Sequence, residues 1–402
     1  MEINIGKLYK YERRQIANML FVSSIFVAFF GSMNVWFMVP IHSFYPIIAF
    51  LLGTASYLLS KTSCHPIFTE SYFLLPTIAF ALLGFYQNMV NSLNINAYIG
   101  TIFNALMMFF IFRYDRKLLK YISTILSKML GGLLIISYPY FLLYIIGFPL
   151  PNVNMVFNDG FYSFSNYFLF LIEDHSLFTL IPRFQSIFLE PTYLGSITAL
   201  LLMTQRGKWK RWYNISLFIG LIISFSLAGY VYLTAIVFLN LWIERKKIFI
   251  KCLSIIILLS AIAGGSFIYK NGDNMLHNLI ILRLEINDGE MAGNNRVTKS
   301  FDAEYESYLQ TSDIILGRDY DYSNFGDSGY KVFFYDFGII GVLLLYAFYI
   351  LSFAKFDDYR CFIGAMLVMT LIFGVDAFVL WFGRFIPLYI VAMSKNTKKQ
   401  EV

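Results

Sequence analysis

The run Arg183-Phe184-Gln185-Ser186-Ile187-Phe188-Leu189-Glu190-Pro191 sets a guanidinium and a carboxylate at the head of an apolar stretch that continues to Met203. An ionisable pair at such a junction, where a membrane-spanning segment meets its surface, marks a functional site. The planar fork and permanent charge of arginine suit recognition of phosphate. Other residues of chemical interest follow in the long polar segment 269–330: Arg283, Arg296, Arg318 and Asp327. Arg384 lies close to the last apolar run. Arg283 and Arg318 also have a plainer reading, as counter-charges to the acidic segment around them. No metal-ligand spacing is present. Asp302, Glu304 and Glu306 stand two residues apart and so spread around a helix instead of converging. Cys64-His65 is an isolated dipeptide, and no cofactor motif accompanies it. These residues therefore point to metal-independent handling of an anion by arginines.

The elements that must position these residues are membrane helices. The chain has 402 residues, of which 58% are apolar and 14% charged, with apolar runs from Ile16 to Met393. That composition excludes a set of soluble catalytic domains and describes one integral membrane domain over 1–402. Lys7, Lys10, Arg13 and Arg14 precede an apolar stretch of spanning length, Ile16 to Val39, with no small-residue cleavage site after it, so a retained first helix is expected.

Lysine and arginine clusters orient the bundle. Placing Lys7 to Arg14, Lys61, Arg113 to Lys120, Arg206 to Arg211, Arg245 to Lys247, Lys355 with Arg360, and Lys395 to Lys399 in the cytoplasm requires spans near 16–39, 44–60, 71–89, 96–112, 122–147, 190–205, 213–226, 228–243, 248–268, 331–353, 361–375 and 377–393. The fold expected is thus all-α, a polytopic bundle of about twelve transmembrane helices with both termini cytoplasmic. Two boundaries are inferred from charge. The apolar run from Asn214 to Trp242 has basic clusters at both ends, so it must turn back near Ser226-Leu227-Ala228-Gly229, and Cys361 to Met393 must turn back near Asp376. The arginines left facing outward are Arg183, Arg283, Arg296, Arg318 and Arg384. Cys64, Cys252 and Cys361 all fall at the inner side, which argues against a disulfide framework. The net charge of +6 fits attraction of the inner loops to anionic lipid and gives no reason to invoke nucleic acid.

Two outer segments are long. The first, 148–189, carries the aromatic run Phe161 to Phe170, expected to lie in the membrane interface or to pack as a helix on neighbouring spans. The second, 269–330, holds 11 of the chain's 25 carboxylates. It is expected to be an ordered, partly helical loop, because Phe301, Tyr305, Tyr308 and Leu309 fall on one face at helical spacing. Leu276 to Ile286 is a second helix candidate. Arg296 follows Gly293-Asn294-Asn295 at a loop-to-helix junction, where backbone donors and a side chain can both address an anion.

Several pieces occur together in order. They are the arginine before a Glu-Pro helix start (Arg183, Glu190-Pro191) and Ser224-Phe225-Ser226 between short helices, followed by the large penultimate outer loop. Gly326-Asp327-Ser328-Gly329-Tyr330 then precedes the glycine-bearing Phe337-Gly338-Ile339-Ile340-Gly341. Across nearly the whole chain this pattern resembles the Wzy-type polysaccharide polymerases and the related O-antigen ligases. The resemblance implies a glycosyltransferase of the lipid-sugar-donor (GT-C-like) class in a bacterial inner membrane, with its active site on the outer face. Such an enzyme moves a growing glycan from undecaprenyl pyrophosphate to the non-reducing end of another lipid-linked repeat unit, extending O-antigen, capsule or exopolysaccharide. Its partners would be the lipid-linked donor and acceptor, membrane lipid, a chain-length regulator and a flippase.

On that resemblance Arg183 and Arg296 bind pyrophosphate, with Arg318 a weaker third cation. Glu190 either caps the helix that starts at Pro191 or serves as base for the acceptor hydroxyl. Asp327 stands where the ligase branch more often has a histidine, and no histidine follows His277. That departure favours polymerase over ligase and leaves Asp327 or Glu190 as the base, a turn-capping role being the alternative for Asp327. A lipid-linked oligosaccharide flippase or transporter is the rival reading. It would place charges at the membrane midplane between repeated halves, and neither feature is evident in the sequence. A non-catalytic scaffold leaves the outward arginines without a role.

Overall fold

The computed structural model describes residues 5–33, 35–41, 44–60, 74–91, 95–114, 116–157, 162–173, 182–206, 208–244, 260–261, 264–269, 277, 281–282, 286–287, 290–291, 298–320, 329–353, 359–375 and 382–393. The chain is mostly helical. Among the described residues, four helices are long and apolar enough to cross a membrane: Glu12–Ser32, Ile95–Phe112, Lys117–Ile145 and Tyr330–Phe353. Shorter apolar helices stand with them, and together they mark a membrane-embedded chain. Without water to bond the backbone, an apolar segment of this length must satisfy its own amides and carbonyls, which a helix does.

In chain order the helices are α1 (Ile5–Ser32), α2 (Tyr45–Ser60), α3 (Leu74–Val90), α4 (Ile95–Arg113), α5 (Arg116–Ile145), α6 (Pro191–Thr204), α7 (Trp212–Ile223), α8 (Leu227–Glu244), α9 (Lys299–Tyr308), α10 (Tyr330–Phe353), α11 (Tyr359–Val375) and α12 (Phe382–Met393). The apolar run from Asn214 to Trp242 does break where its flanking charges require, between Ile223 and Leu227. Asp376, about which the last run was expected to turn, and most of the expected span 248–268 lie outside the described residues, as does most of the expected helix 276–286.

Helix α6 is the axis of the bundle. Every residue from Leu194 to Met203 is buried, as expected of a helix apolar on all sides, and α5, α7, α8 and α12 pack around it. Polar side chains inside the helices bond to carbonyls of their neighbours. Ser24 Oγ donates to the Ala49 carbonyl at 2.5 Å, Ser56 Oγ to Ala17 at 2.6 Å and Ser216 Oγ to Gly131 at 2.8 Å. Each bond removes the cost of a buried unsatisfied hydroxyl and ties one helix to the next.

One region departs from the all-α expectation. Residues 153–173 form a three-stranded antiparallel sheet, β1 (Val153–Phe157), β2 (Tyr162–Asn166) and β3 (Leu171–Glu173), with Val153 opposite Asn166 and Asn166 opposite Leu171. Of the aromatic run expected to lie in the interface or to pack as a helix, the larger part is strand β2 and the turn after it, which overturns the packed helix. Its period explains why. Phe164 and Asn166 are buried while Ser163 and Ser165 alternate with them, a repeat of two and not 3.6. The Asn166 side chain shapes the turn by accepting the Phe168 amide at 2.7 Å, with Phe168 at φ 68°.

The segment 298–320 builds a small aromatic core with the start of α10. Thr298 caps α9 by accepting the Phe301 amide at 3.3 Å. Phe301 and Tyr308 are fully buried and pack with Tyr320, Val332 and Tyr335, in line with the face expected from their spacing, although Leu309 is exposed. The segment is keyed into α10. At Gly338 (φ 58°, ψ −162°) that helix is interrupted in a conformation open in practice to glycine alone. The 315–318 stretch docks there, with the Ile340 amide donating to the Ile315 carbonyl at 3.1 Å and the Arg318 amide to Tyr335 at 2.8 Å.

Candidate functional site

Arg183 sits on a strap, residues 182–190, held on three sides by backbone bonds. The Leu171 amide of β3 donates to the Ser186 carbonyl (3.0 Å), Trp36 after α1 donates to Ile187 (3.1 Å), and Phe184 donates to Ile223 at the end of α7 (3.3 Å). Phe184 and Phe188 are fully buried, Phe184 among Tyr138 and Phe141 with ring centroids 5.6 and 4.9 Å away. Ser186, at φ 49°, turns the strap so that both rings point inward. The alternation of large apolar and polar residues in Arg-Phe-Gln-Ser-Ile-Phe thus anchors the strap and leaves Arg183 half-buried beside the α7–α8 turn.

That turn is built by its serines. Ser224 Oγ donates to Leu221 (2.7 Å) and accepts the Ser226 amide (3.3 Å), while Ser226 Oγ accepts the Gly229 amide (3.2 Å), capping the start of α8. Phe225 takes φ 48° to complete the reversal. Gly195 and Gly229 then bring the N-terminal halves of α6 and α8 into backbone contact. A Cβ on Gly229 would lie 2.9 Å from the Gly195 Cα, and one on Gly195 would lie 3.0 Å from the Ser226 Cβ. Two helix N-termini consequently lie side by side, and their positive dipole ends add to the charge of Arg183.

Tyr230, in the first turn of α8, donates its hydroxyl to the Ile222 carbonyl at 2.5 Å and lies within electrostatic reach of Arg183. Glu190 occupies the N-cap position of α6 with extended backbone (φ −137°, ψ 145°), and its carboxylate makes no capping bond. Helix capping, one of the two roles open to it in the sequence, is therefore not what this carboxylate does here. Gln185 is almost fully buried in the strap, and its Nε2 has no hydrogen-bond partner among the described residues. Arg183, Gln185, Glu190 and Tyr230 thus occupy one end of the bundle, a setting that can receive an anion and an adjacent hydroxyl. Gln185 was not singled out from the sequence. Its signal was a polar residue between the two aromatic anchors. Tyr230 was visible only as part of the Ser-Phe-Ser turn.

The remaining predicted residues fare differently. Arg318 is engaged by its own loop. Its Nη1 donates to Glu304 Oε1 at 2.8 Å and its Nε to Asp313 Oδ2 at 2.7 Å, and it lies 5.9 Å from the Tyr308 ring centre. The Asp313 hydrogen bond leads the causes that hold its guanidinium above the ordinary arginine pKa. Burial, foremost, raises the Tyr308 phenol as well, and that hydroxyl donates to Phe334 at 2.8 Å. Asp302 pairs with Lys331 at 3.0 Å. Arg283, Arg296 and Asp327 lie outside the described residues, and for Arg384 only the backbone, within α12, is described.

A further carboxylate emerges at the α10 break. Asp336 is fully buried, and its Oδ2 accepts Asn91 Nδ2 at 3.2 Å. No family model, curated protein or solved structure matches this chain.

Proposed function

We propose that the chain is a membrane glycosyltransferase of polysaccharide polymerase type, acting on the outer face of a bacterial inner membrane with both termini in the cytoplasm and about twelve spans. The observation that carries this reading is Arg183 on the strap that leads into α6, held against the α7–α8 turn and within electrostatic reach of Tyr230, with Glu190 at the α6 N-cap. The donor is an undecaprenyl-pyrophosphate-linked glycan. As its anomeric C–O bond breaks, the electron pair leaves with the pyrophosphate. Arg183 and the two helix ends stabilise the negative charge that develops there. The acceptor hydroxyl of a second lipid-linked repeat unit attacks the anomeric carbon, and a carboxylate, Glu190 or Asp327, takes its proton. Arg296 is a second pyrophosphate ligand in this scheme. Arg318 holds the large loop in shape, and through it the loop's approach to α10.

The test is a deletion strain complemented with Arg183→Ala. Lipid-linked glycan with a single repeat unit, at unchanged protein level, is expected. Wild-type chain length in that strain would remove Arg183 from the reaction. Long polymer retained on the isoprenoid carrier after deletion would indicate a ligase instead.

The interruption of α10 at Gly338 beside buried Asp336 favours a second reading, transport of a lipid-linked oligosaccharide, because carriers place sites at broken helices. Deletion would then strand single repeat units on the cytoplasmic face.

A further inference from the structure

At the other end of α7 and α8, a cavity of about 620 Å³ lies between the loop 208–211 and α8. That volume is within the roughly 300–1,000 Å³ of small-molecule sites. Lys208, Trp209, Lys210 and Arg211 line it from the loop, and Val237, Asn240 and Leu241 from one face of α8. The loop is built, not slack. Its turns are closed by the Lys208 amide donating to Gln205 and the Arg211 amide to Lys208, both at 3.0 Å, and Asn214 Nδ2 donates to the Lys208 carbonyl at 2.8 Å.

Two independent features ask for a ligand. The described lining carries three cations and no carboxylate, and Lys120 lies within electrostatic reach of both Lys208 and Arg206. The three lining cations are exposed, so their mutual repulsion is screened by solvent, and the positive potential they share favours an anion among them. The second feature is Asn240. It is 8% exposed, and neither its Nδ2 nor its Oδ1 has a hydrogen-bond partner among the described residues. A buried amide left in that state is costly, so such groups are normally paired. Its two atoms want different things. Nδ2 donates, as to a phosphate oxygen, whereas Oδ1 accepts and needs an O–H or N–H.

We infer that this cavity binds a phosphate ester that also carries a hydroxyl, with Lys208, Lys210 and Arg211 on the phosphate oxygens and Asn240 bridging phosphate and hydroxyl. The half-buried Trp209 ring walls the cavity on the loop side. A glycerol phosphate group meets this description, either as the head of an anionic membrane lipid or as a free metabolite. The site is separate from the Arg183 end and does not depend on the reaction assigned there.

The test uses the full-length purified protein in detergent, followed by native mass spectrometry and thermal unfolding. Phosphatidylglycerol, phosphatidylmethanol (the same charge without the glycerol hydroxyls) and sn-glycerol 3-phosphate are titrated separately. Saturable stabilisation by phosphatidylglycerol, stronger than by phosphatidylmethanol, is expected if the source is lipid. Saturable stabilisation by sn-glycerol 3-phosphate alone assigns the site to a soluble ester. In either case Lys210→Gln/Arg211→Gln should weaken binding about tenfold or more, as expected for loss of charge-assisted contacts. Asn240→Leu should abolish the preference for the hydroxyl-bearing ligand. Absence of stabilisation by any of the three probes, or equal affinity in wild type and the charge variant, overturns the inference. Should Asn240→Leu fail to fold, the charge variant alone decides.

Discussion

Arg183 and Arg318 are two arginines of the same predicted sidedness in contrasting surroundings. Arg318 lies in a polar segment that carries many carboxylates, and its guanidinium is spent on Glu304 and Asp313, clasping α9 to the stretch that docks on α10. Arg183 is carried on a strap whose neighbours are aromatic rings, serine-built turns and helix N-termini, with Tyr230 within its field. Charge alone does not make a cation a ligand for phosphate. The surroundings decide what a charge can do: two carboxylates clasp Arg318, whereas the helix ends near Arg183 add to its positive potential.

Five substitutions can break or sharpen this contrast. Arg183→Ala should lower polymer formation by roughly 100- to 1,000-fold, the range for removing one charge-stabilising donor from an active site. Arg183→Lys should recover part of it, since the charge stays and the fork is lost. Both are read from chain-length distributions at matched protein levels. Glu190→Gln comes next. At matched protein levels its activity should fall about 100-fold if this carboxylate is the base. Full activity would transfer that role to Asp327.

Gly229→Val tests the helix pairing itself. Its side chain would run into the Gly195 backbone, so a loss of about 1–3 kcal/mol in stability is expected, seen as a lower unfolding midpoint in detergent. An unchanged midpoint would mean that α6 and α8 do not touch there. Arg318→Ala should have the smallest effect, about 1 kcal/mol, because both carboxylates it pairs with are more than a third exposed. Activity should fall far less than with Arg183→Ala. Equal losses from the two, with Arg318→Ala thermally intact, would erase the distinction between these arginines.

Much of the helical frame was legible in the sequence. The turn between α7 and α8 could be placed from basic clusters flanking one apolar run, because hydropathy and charge sidedness act on each segment separately. The face of α9 was legible from the spacing of Phe301, Tyr305 and Tyr308, since a 3.6-residue period is a local property. Strand β2 is less legible, because its aromatic content overshadows the alternation of Ser163, Phe164, Ser165 and Asn166. Of the candidate site, Arg183 and Glu190 stood out as charges at an apolar boundary, but Gln185 did not. A polar residue inside a loop carries no sign of being buried until the loop's packing is known.

What the amino-acid sequence determined by itself is that this is a membrane-embedded helical chain, where most of its helices start and stop, and which charges sit at their ends. Those properties follow from apolar length, backbone self-satisfaction and the placing of Lys and Arg, all of them local. Only the tertiary structure decided that Gly195 meets Gly229, that Arg183 lies near Tyr230 and that Arg318 closes on Glu304 and Asp313. It alone showed that Gly338 interrupts α10 against 315–318 and that Asn240 faces a basic cavity. Each of these is a contact between segments distant in sequence or a backbone conformation held by one, and no single segment encodes its partner.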